Sequence, residues 1–270
     1  MKRSTKIIRV GAVVAASALV LAACGSSDSG TKKKADSVPK GDGVLTVGTL
    51  LPSTGDLAFL GPPEFAGVDL AVKDINAAGG VLGKPVAQSK ADSGDGTPKI
   101  APGSVDKLLS AKSDVIVGAA SSSVSLSVID KITSAGVVEF SPANTSTAFD
   151  TYNDHGLYFR TAPSDVLQGN VLGNLVLQDG AKNVAIIARQ EAYGEALANN
   201  VDKTIKDQGG TVATKILYSV DATSYTTEIT KLKEAKPDAV VLIAFNETTK
   251  IIPGLEAAGI GPKDVKTYFV

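Results

Sequence analysis

The sequence predicts an α/β fold in which parallel sheets carry helices on their faces, and three observations predict it. From Val44 onward, short β-rich runs alternate with amphipathic helical stretches. Several of those runs are apolar almost throughout, as strands covered on both faces must be. The two halves of the chain also echo one another. Each contains a helix, a Gly-Gly stop and a new strand, so the chain reads as two similar lobes joined near residues 160–164.

Taken in order, strands are expected at 44–50, 85–91, 114–119, 137–140, 157–161, 183–188, 211–217, 238–244 and 265–270. Between the first two, Phe65, Val68, Val72 and Ile75 recur at helical spacing and mark a face expected to pack on the sheet. In the second half Leu197, Val201 and Ile205 do the same. Gly79-Gly80 and Gly209-Gly210 stand where a left-handed cap would end these helices. The final run reaches Tyr268-Phe269-Val270 at the end of the chain, so the second lobe is expected to be incomplete. The resulting divisions are 1–23, 24–43, a first lobe at 44–162 and a partial second lobe at 163–270.

The N-terminal division reads as a secretory signal. Lys2, Arg3, Lys6 and Arg9 precede an apolar run of fourteen residues, 10–23, interrupted only by Gly11 and Ser17. A membrane-spanning helix needs about 20 residues, so a permanent span is the weaker reading. The run closes with Leu21-Ala22-Ala23-Cys24-Gly25, which resembles the bacterial lipobox. That resemblance makes Cys24 a lipidated N-terminus and membrane anchor, held stably once two or three acyl chains are present. Cys24 is the only cysteine, which leaves none for a disulfide. Residues 25–43, GSSDSGTKKKADSVPKGDG, contain almost nothing able to build a core and read as a flexible tether. Without the four signal-peptide bases the formal charge moves from −1 to −5, which argues against nucleic acid as a partner.

Ligands of open α/β sheets bind beyond the carboxyl ends of the strands, which directs attention to the loops after Leu50, Ala119, Phe140, Ala188 and Ala244. Ala120-Ser121-Ser122-Ser123 leads into a helix carrying Val124, Leu126, Val128 and Ile129. Hydroxyls and free N–H groups at such a start suit a carboxylate, and one of the serines is expected to cap the helix. Ser141-Pro142-Ala143-Asn144-Thr145-Ser146 follows the next strand and offers an amide and hydroxyls on a proline-fixed turn.

A family resemblance rests on the order of several short motifs. Val47-Gly48-Thr49-Leu50-Leu51-Pro52-Ser53-Thr54-Gly55, Gly61, Phe65-Ala66-Gly67 and Asp74-Ile75-Asn76-Ala77-Ala78-Gly79-Gly80 come first. Ser141-Pro142 with Asn144-Thr145, Arg160-Thr161 with Asp165 and Gln168-Gly169, and Tyr193-Gly194 follow. In that order they resemble the periplasmic leucine/isoleucine/valine-binding protein family over nearly all of 44–270. The resemblance implies a type I periplasmic-binding fold, two Rossmann-like lobes with parallel sheets closing on a small-molecule ligand, here an amino acid or amide. It also implies delivery of that ligand to the membrane subunits of an ABC importer, with no catalysis and no cofactor. Carried over residue by residue, it assigns ligand contact to Ser121, Ser122, Asn144, Thr145, Asp165, Tyr193 and Phe245. Ser122 aligns best with the carboxylate-binding serine, in a run of three that leaves the register open by one. The family's acid that pairs with the ligand's ammonium would fall just beyond Val270.

Two other readings compete. An enzyme needs an activated nucleophile or a metal site, and the chain offers one histidine, His155, in the turn-like Tyr152-Asn153-Asp154-His155-Gly156. No G-x-S-x-G elbow, Walker loop or G-x-G-x-x-G fingerprint is present. A sugar-binding or partner-protein-binding lipoprotein on the same fold is the closer rival. Sugar sites favour flat aromatic platforms, and this chain has no tryptophan and only 5% aromatic residues.

Overall fold

In a computed structural model of the chain, residues 41–95 and 99–270 are described. The expected signal segment, Cys24 and the expected tether up to residue 40 lie outside them. The nine expected strands form, with ends displaced by at most two residues: β1 Thr46–Leu51, β2 Ala87–Asp92, β3 Val115–Gly118, β4 Val138–Ser141, β5 Tyr158–Arg160, β6 Asn183–Arg189, β7 Thr211–Tyr218, β8 Ala239–Ile243 and β9 Lys266–Phe269. Seven helices join them: α1 Gly61–Ala77, α2 Ala101–Ser110, α3 Ser122–Ser134, α4 Asp165–Gln178, α5 Ala192–Asp207, α6 Thr226–Glu234 and α7 Thr248–Ala258.

The strands build two wholly parallel sheets, β2-β1-β3-β4-β5 and β7-β6-β8-β9. The central strands of the second are covered on both faces, while β7 and β9 at its edges stay partly exposed. Val184, Ile186, Ala188, Val241 and Ile243 pack on α4 and α5, while Ala185, Ile187, Val240 and Leu242 pack on α6 and α7. That double cover is why β6 and β8 are apolar at nearly every position. Leu197, Val201 and Ile205 are fully buried in the first of these clusters, as their spacing predicts.

The first sheet is covered unequally. On one face Ile116 packs with Val105 and Leu108 of α2 and Val124, Val128 and Ile132 of α3. On the other, the register row Thr49, Val117, Phe140, Phe159 runs from complete burial at Thr49 to 37% exposure at Phe140 and 49% at Phe159. Helix α1 shields only the β1 end of that row. Its Phe65, Val68 and Val72 are half-buried, but Ile75 is exposed, which corrects the expectation that all four pack on the sheet. The strand that contacts α1 closely is β1, which leaves the end of the stripe uncovered. Gly79 and Gly80, at φ of +104° and +75°, then turn the chain toward β2.

Candidate functional site

Strand order reverses between β1 and β3 in one sheet and between β6 and β8 in the other. Crevices for ligands open at such switch points, beyond the carboxyl ends of the strands. The loops that leave β1, β3, β4, β6 and β8 there surround a cavity of about 220 Å³. Its wall consists of Leu57 and Leu60 after β1, Ala120, Ser121 and Ser122 after β3, Ala143 and Thr145 after β4, Gln168 of α4, Tyr193 of α5 and Phe245 after β8. The apolar side, Leu57, Leu60, Tyr193 and Phe245, is shared with an adjoining opening of about 450 Å³ edged by Phe59 and Phe269.

Backbone geometry brings the serine loop to this place. Gly118 ends β3 at a φ of +127°, where a Cβ would lie 1.9 Å from the carbonyl oxygen of Leu50, so only glycine lets the loop leave against β1. The three serines that follow do three different things. Ser121 is the N-cap of α3, its Oγ accepting the Val124 N–H at 3.5 Å. Ser122 Oγ accepts the N–H groups of Thr145 and Ser146, both at 3.3 Å, and so ties the β3 loop to the β4 loop. Ser123 reaches the other lobe, its Oγ donating to Glu191 at 2.6 Å and accepting from the Ala192 N–H at 3.0 Å.

Asn144 is fully buried, and its side chain is spent inside the protein. Its Nδ2 donates to the carbonyls of Ala119 and Ala120 at 3.1 and 2.9 Å, and its Oδ1 accepts from the Tyr158 hydroxyl at 2.9 Å. It holds the two loops in shape and is not part of the cavity wall. Thr145, beside it, is in the wall, and its buried hydroxyl oxygen has no hydrogen-bond partner.

Directly behind Thr145 lies Asp165, the first residue of α4, which is 0% exposed. Its N–H donates to the Thr145 carbonyl at 2.8 Å, but neither carboxylate oxygen makes a hydrogen bond. Burial lifts its pKa from 3.8 to about 7; the nearby Thr145 hydroxyl and the charge of Arg160 pull it only partway back. On the second lobe Tyr193 and Phe245 stack, ring centroids 5.5 Å apart and planes 10° from parallel. Burial raises the pKa of the Tyr193 hydroxyl, and the charges of Asp165 and Glu191 raise it further.

Of the seven ligand contacts expected from the sequence, Ser121, Ser122, Thr145, Tyr193 and Phe245 meet at the cavity, while Asn144 and Asp165 stand one layer behind it. Leu57, Leu60, Ala120, Ala143 and Gln168 were not expected in the wall. Only the position of their loops after strand ends pointed to them. His155 sits in an exposed turn at a φ of +56°, and among the described residues no group of three or more histidine, cysteine or acidic side chains is arranged to hold a metal.

A family model described as periplasmic binding protein matches residues 44–269. The chain is 29% identical over 221 residues to the leucine-, isoleucine-, valine-, threonine- and alanine-binding protein of Pseudomonas aeruginosa, covering 79% of this chain and 59% of that protein. It is 31% identical over 199 residues to the Leu/Ile/Val-binding protein BraC3 of Rhizobium johnstonii, covering 73% and 53%. The chain thus spans between half and two thirds of the length of these curated relatives. Among solved structures, the branched-chain amino acid transporter substrate binding protein LivJ of Streptococcus pneumoniae, in complex with isoleucine, superposes with a TM-score of 0.72 at 26% identity over 84% of this chain and 64% of that one. A solute-binding protein of Rhodopseudomonas palustris in complex with 4-hydroxybenzoate gives a TM-score of 0.75 at 18% identity, covering 84% and 61%, and so shares the fold. With both sheets, their order and almost every described residue falling within the match, the chain belongs to the periplasmic binding protein family, a family of binding proteins and not of enzymes.

Proposed function

We propose that this chain forms the ligand-gripping part of an extracytoplasmic solute-binding protein, anchored to the bacterial membrane by lipid on Cys24. Its ligand is a branched-chain amino acid or a similar small amino acid or amide, delivered to the membrane subunits of an ABC importer. The observation that carries this reading is the unpartnered Thr145 hydroxyl in the cavity wall, with the unpartnered Asp165 carboxylate in the layer directly behind it. Buried polar atoms without partners are uncommon and costly, about 1–3 kcal/mol each, so the one in the cavity wall, backed by a carboxylate, calls for a ligand that carries a donor. The other polar wall is the start of α3, where first-turn N–H groups and serine hydroxyls favour a carboxylate.

A donor at one point, a carboxylate at another and an apolar body against Leu57, Leu60, Tyr193 and Phe245 describe an amino acid with an apolar side chain. The family and the names of its relatives agree with this reading.

Titration calorimetry of the chain against L-leucine, L-isoleucine, L-valine, L-phenylalanine, small amides and sugars tests it. Binding of at least one amino acid or amide is expected, and Thr145→Val, which keeps the shape and removes the hydroxyl, should weaken it by roughly tenfold. No heat with any of these amino acids or amides would sink the proposal, and heat with a sugar alone would replace it.

A further inference from the structure

Arg189 closes β6 and is 2% exposed, an expensive place for a cation. It pairs with the equally buried Glu247, whose Oε1 also accepts the Tyr218 hydroxyl at 2.7 Å. Its Nε lies 3.9 Å from Glu191 Oε1, and its guanidinium carbon lies 3.9 Å from the centroid of the Phe245 ring. Phe245 in turn stacks on Tyr193, and both face the cavity. Glu191 is the N-cap of α5, accepting the Tyr193 and Gly194 N–H groups at 3.1 and 2.8 Å. It is also the residue to which Ser123 donates from the first lobe.

Buried ion pairs add little net stability compared with well-packed apolar side chains, so this one asks for another explanation. Arg189 touches both things a closing cleft must hold, the aromatic floor under the ligand and the carboxylate that bridges to the opposite lobe. We propose that Arg189 is a positioning residue: its guanidinium fixes Phe245 and Tyr193 as the floor of the cleft and holds Glu191 in place to receive Ser123, so that floor and lobe closure are set together. The inference rests on the cleft being the ligand site.

Because both roles run through one side chain, they are coupled, and coupling is measurable. In the full chain, Arg189→Met should lower affinity for L-leucine by roughly tenfold through loss of the cation–π support. Ser123→Ala should lower it about threefold through loss of one bridging hydrogen bond. The double variant should bind about as well as Arg189→Met alone, because without the guanidinium Glu191 keeps only its bonds to the Tyr193 and Gly194 N–H groups and no longer holds its place for Ser123. Arg189→Lys keeps the charge between Glu191 and Glu247 but not the flat group over Phe245. It should restore sensitivity to Ser123→Ala while recovering only part of the affinity, a split that mere packing would not produce. Additive losses for Arg189→Met with Ser123→Ala, or Arg189→Met at unchanged affinity, would overturn the proposal; if Arg189→Met does not fold, Arg189→Lys at the affinity of the unmodified chain overturns it instead. Small-angle scattering without added ligand gives a second readout independent of the ligand. Ser123→Ala should increase the radius of gyration, and an unchanged radius counts against Glu191 as the bridge. If L-leucine shows no heat, the amino acid or amide that binds replaces it as the probe; if none binds the unmodified chain the proposed function fails, while the scattering comparison still judges the bridge.

Discussion

Asp165 and Glu139 are both carboxyl groups at 0% exposure, yet their titrations should do different things. Burial raises Glu139 from 4.5 to about 8, and the Ser125 hydroxyl and Ala119 N–H lower it only slightly. Its side chain sits in the register row with Ile116 and Tyr158, on the face toward α3 and away from the cavity wall. A carboxyl whose folded pKa lies above its unfolded value contributes stability at low pH that is lost as pH rises through the folded pKa. Stability should therefore fall between about pH 4.5 and pH 8 at up to about 1.4 kcal/mol per unit from this group. Glu139→Gln should flatten that slope and raise the melting temperature at pH 8 without altering ligand affinity. Asp165 has the same sign for stability, its loss running from about pH 4 to about pH 7. It adds a second effect, because a ligand ammonium would need its ionised form. Binding of an amino acid should weaken by about tenfold from pH 8 to pH 6 while the empty protein becomes more stable. Asp165→Asn should abolish this pH dependence, weaken binding and stabilise the empty protein at pH 8. Calorimetry and thermal melts at the two pH values separate the pair, and an affinity independent of pH in the unmodified chain would remove Asp165 from the ligand's surroundings.

At the scale of elements, α4 and α5 cross closely because α4 presents glycine where α5 is nearest. A Cβ on Gly169 would lie 2.5 Å from the Asn200 Cβ, and one on Gly173 would lie 2.8 Å from the Thr204 side chain. Gly67, in the middle of α1, has nothing within 4 Å of where its Cβ would be. Gly173→Val should therefore cost about 1–3 kcal/mol by overpacking, whereas Gly67→Ala should add about 0.5–1 kcal/mol by removing helix-interior glycine; urea unfolding of the two variants checks both signs, and equal effects would show that the α4–α5 contact is not tight. The same contrast explains what could be read from the sequence. Strands such as β6 and β8 announce themselves because burial on both faces leaves almost no polar position between their ends, and strand ends then locate the ligand loops. The stripe of α1 was legible as a stripe, but not that the sheet stops short of Ile75, since periodicity reports a face and not what covers it. Asn144 and Ser122 matched a ligand motif, yet the partners that occupy their side chains come from other strands and the loops after them, at separations no local pattern encodes. Leu57 and Leu60 follow β1 in a turn without periodicity, and Arg189 ends a strand, where a charge reads as the approach to solvent.

For the whole molecule, central and outer strands differ in how completely they are wrapped, and that difference should appear as a difference in local stability. β6 and β8 are buried on both faces, with Ile186, Ile187, Val241 and Leu242 all at 0% exposure. β4 and β5 are buried on the α3 face, but on the other carry the Phe140–Phe159 pair, rings 6.3 Å apart and partly open to solvent. Apolar area left in water contributes nothing to folding, at about 25 cal/mol for each Å² not buried. The first lobe's outer strands should therefore open at lower free energy than the core of the second lobe. Hydrogen exchange on the unliganded chain should show β4 and β5 exchanging faster than β6 and β8 by at least about tenfold, a gap of roughly 1.4 kcal/mol. A bound ligand gripped from both lobes would add its binding energy to the closed arrangement, and protection should then rise most in the loops after β3 and β4, next to Ser122 and Thr145. Equal protection of both sheets in the empty protein would show that the open face of β4 and β5 is no weakness. A rise confined to one lobe on adding an amino acid would mean that the ligand does not bridge the cleft.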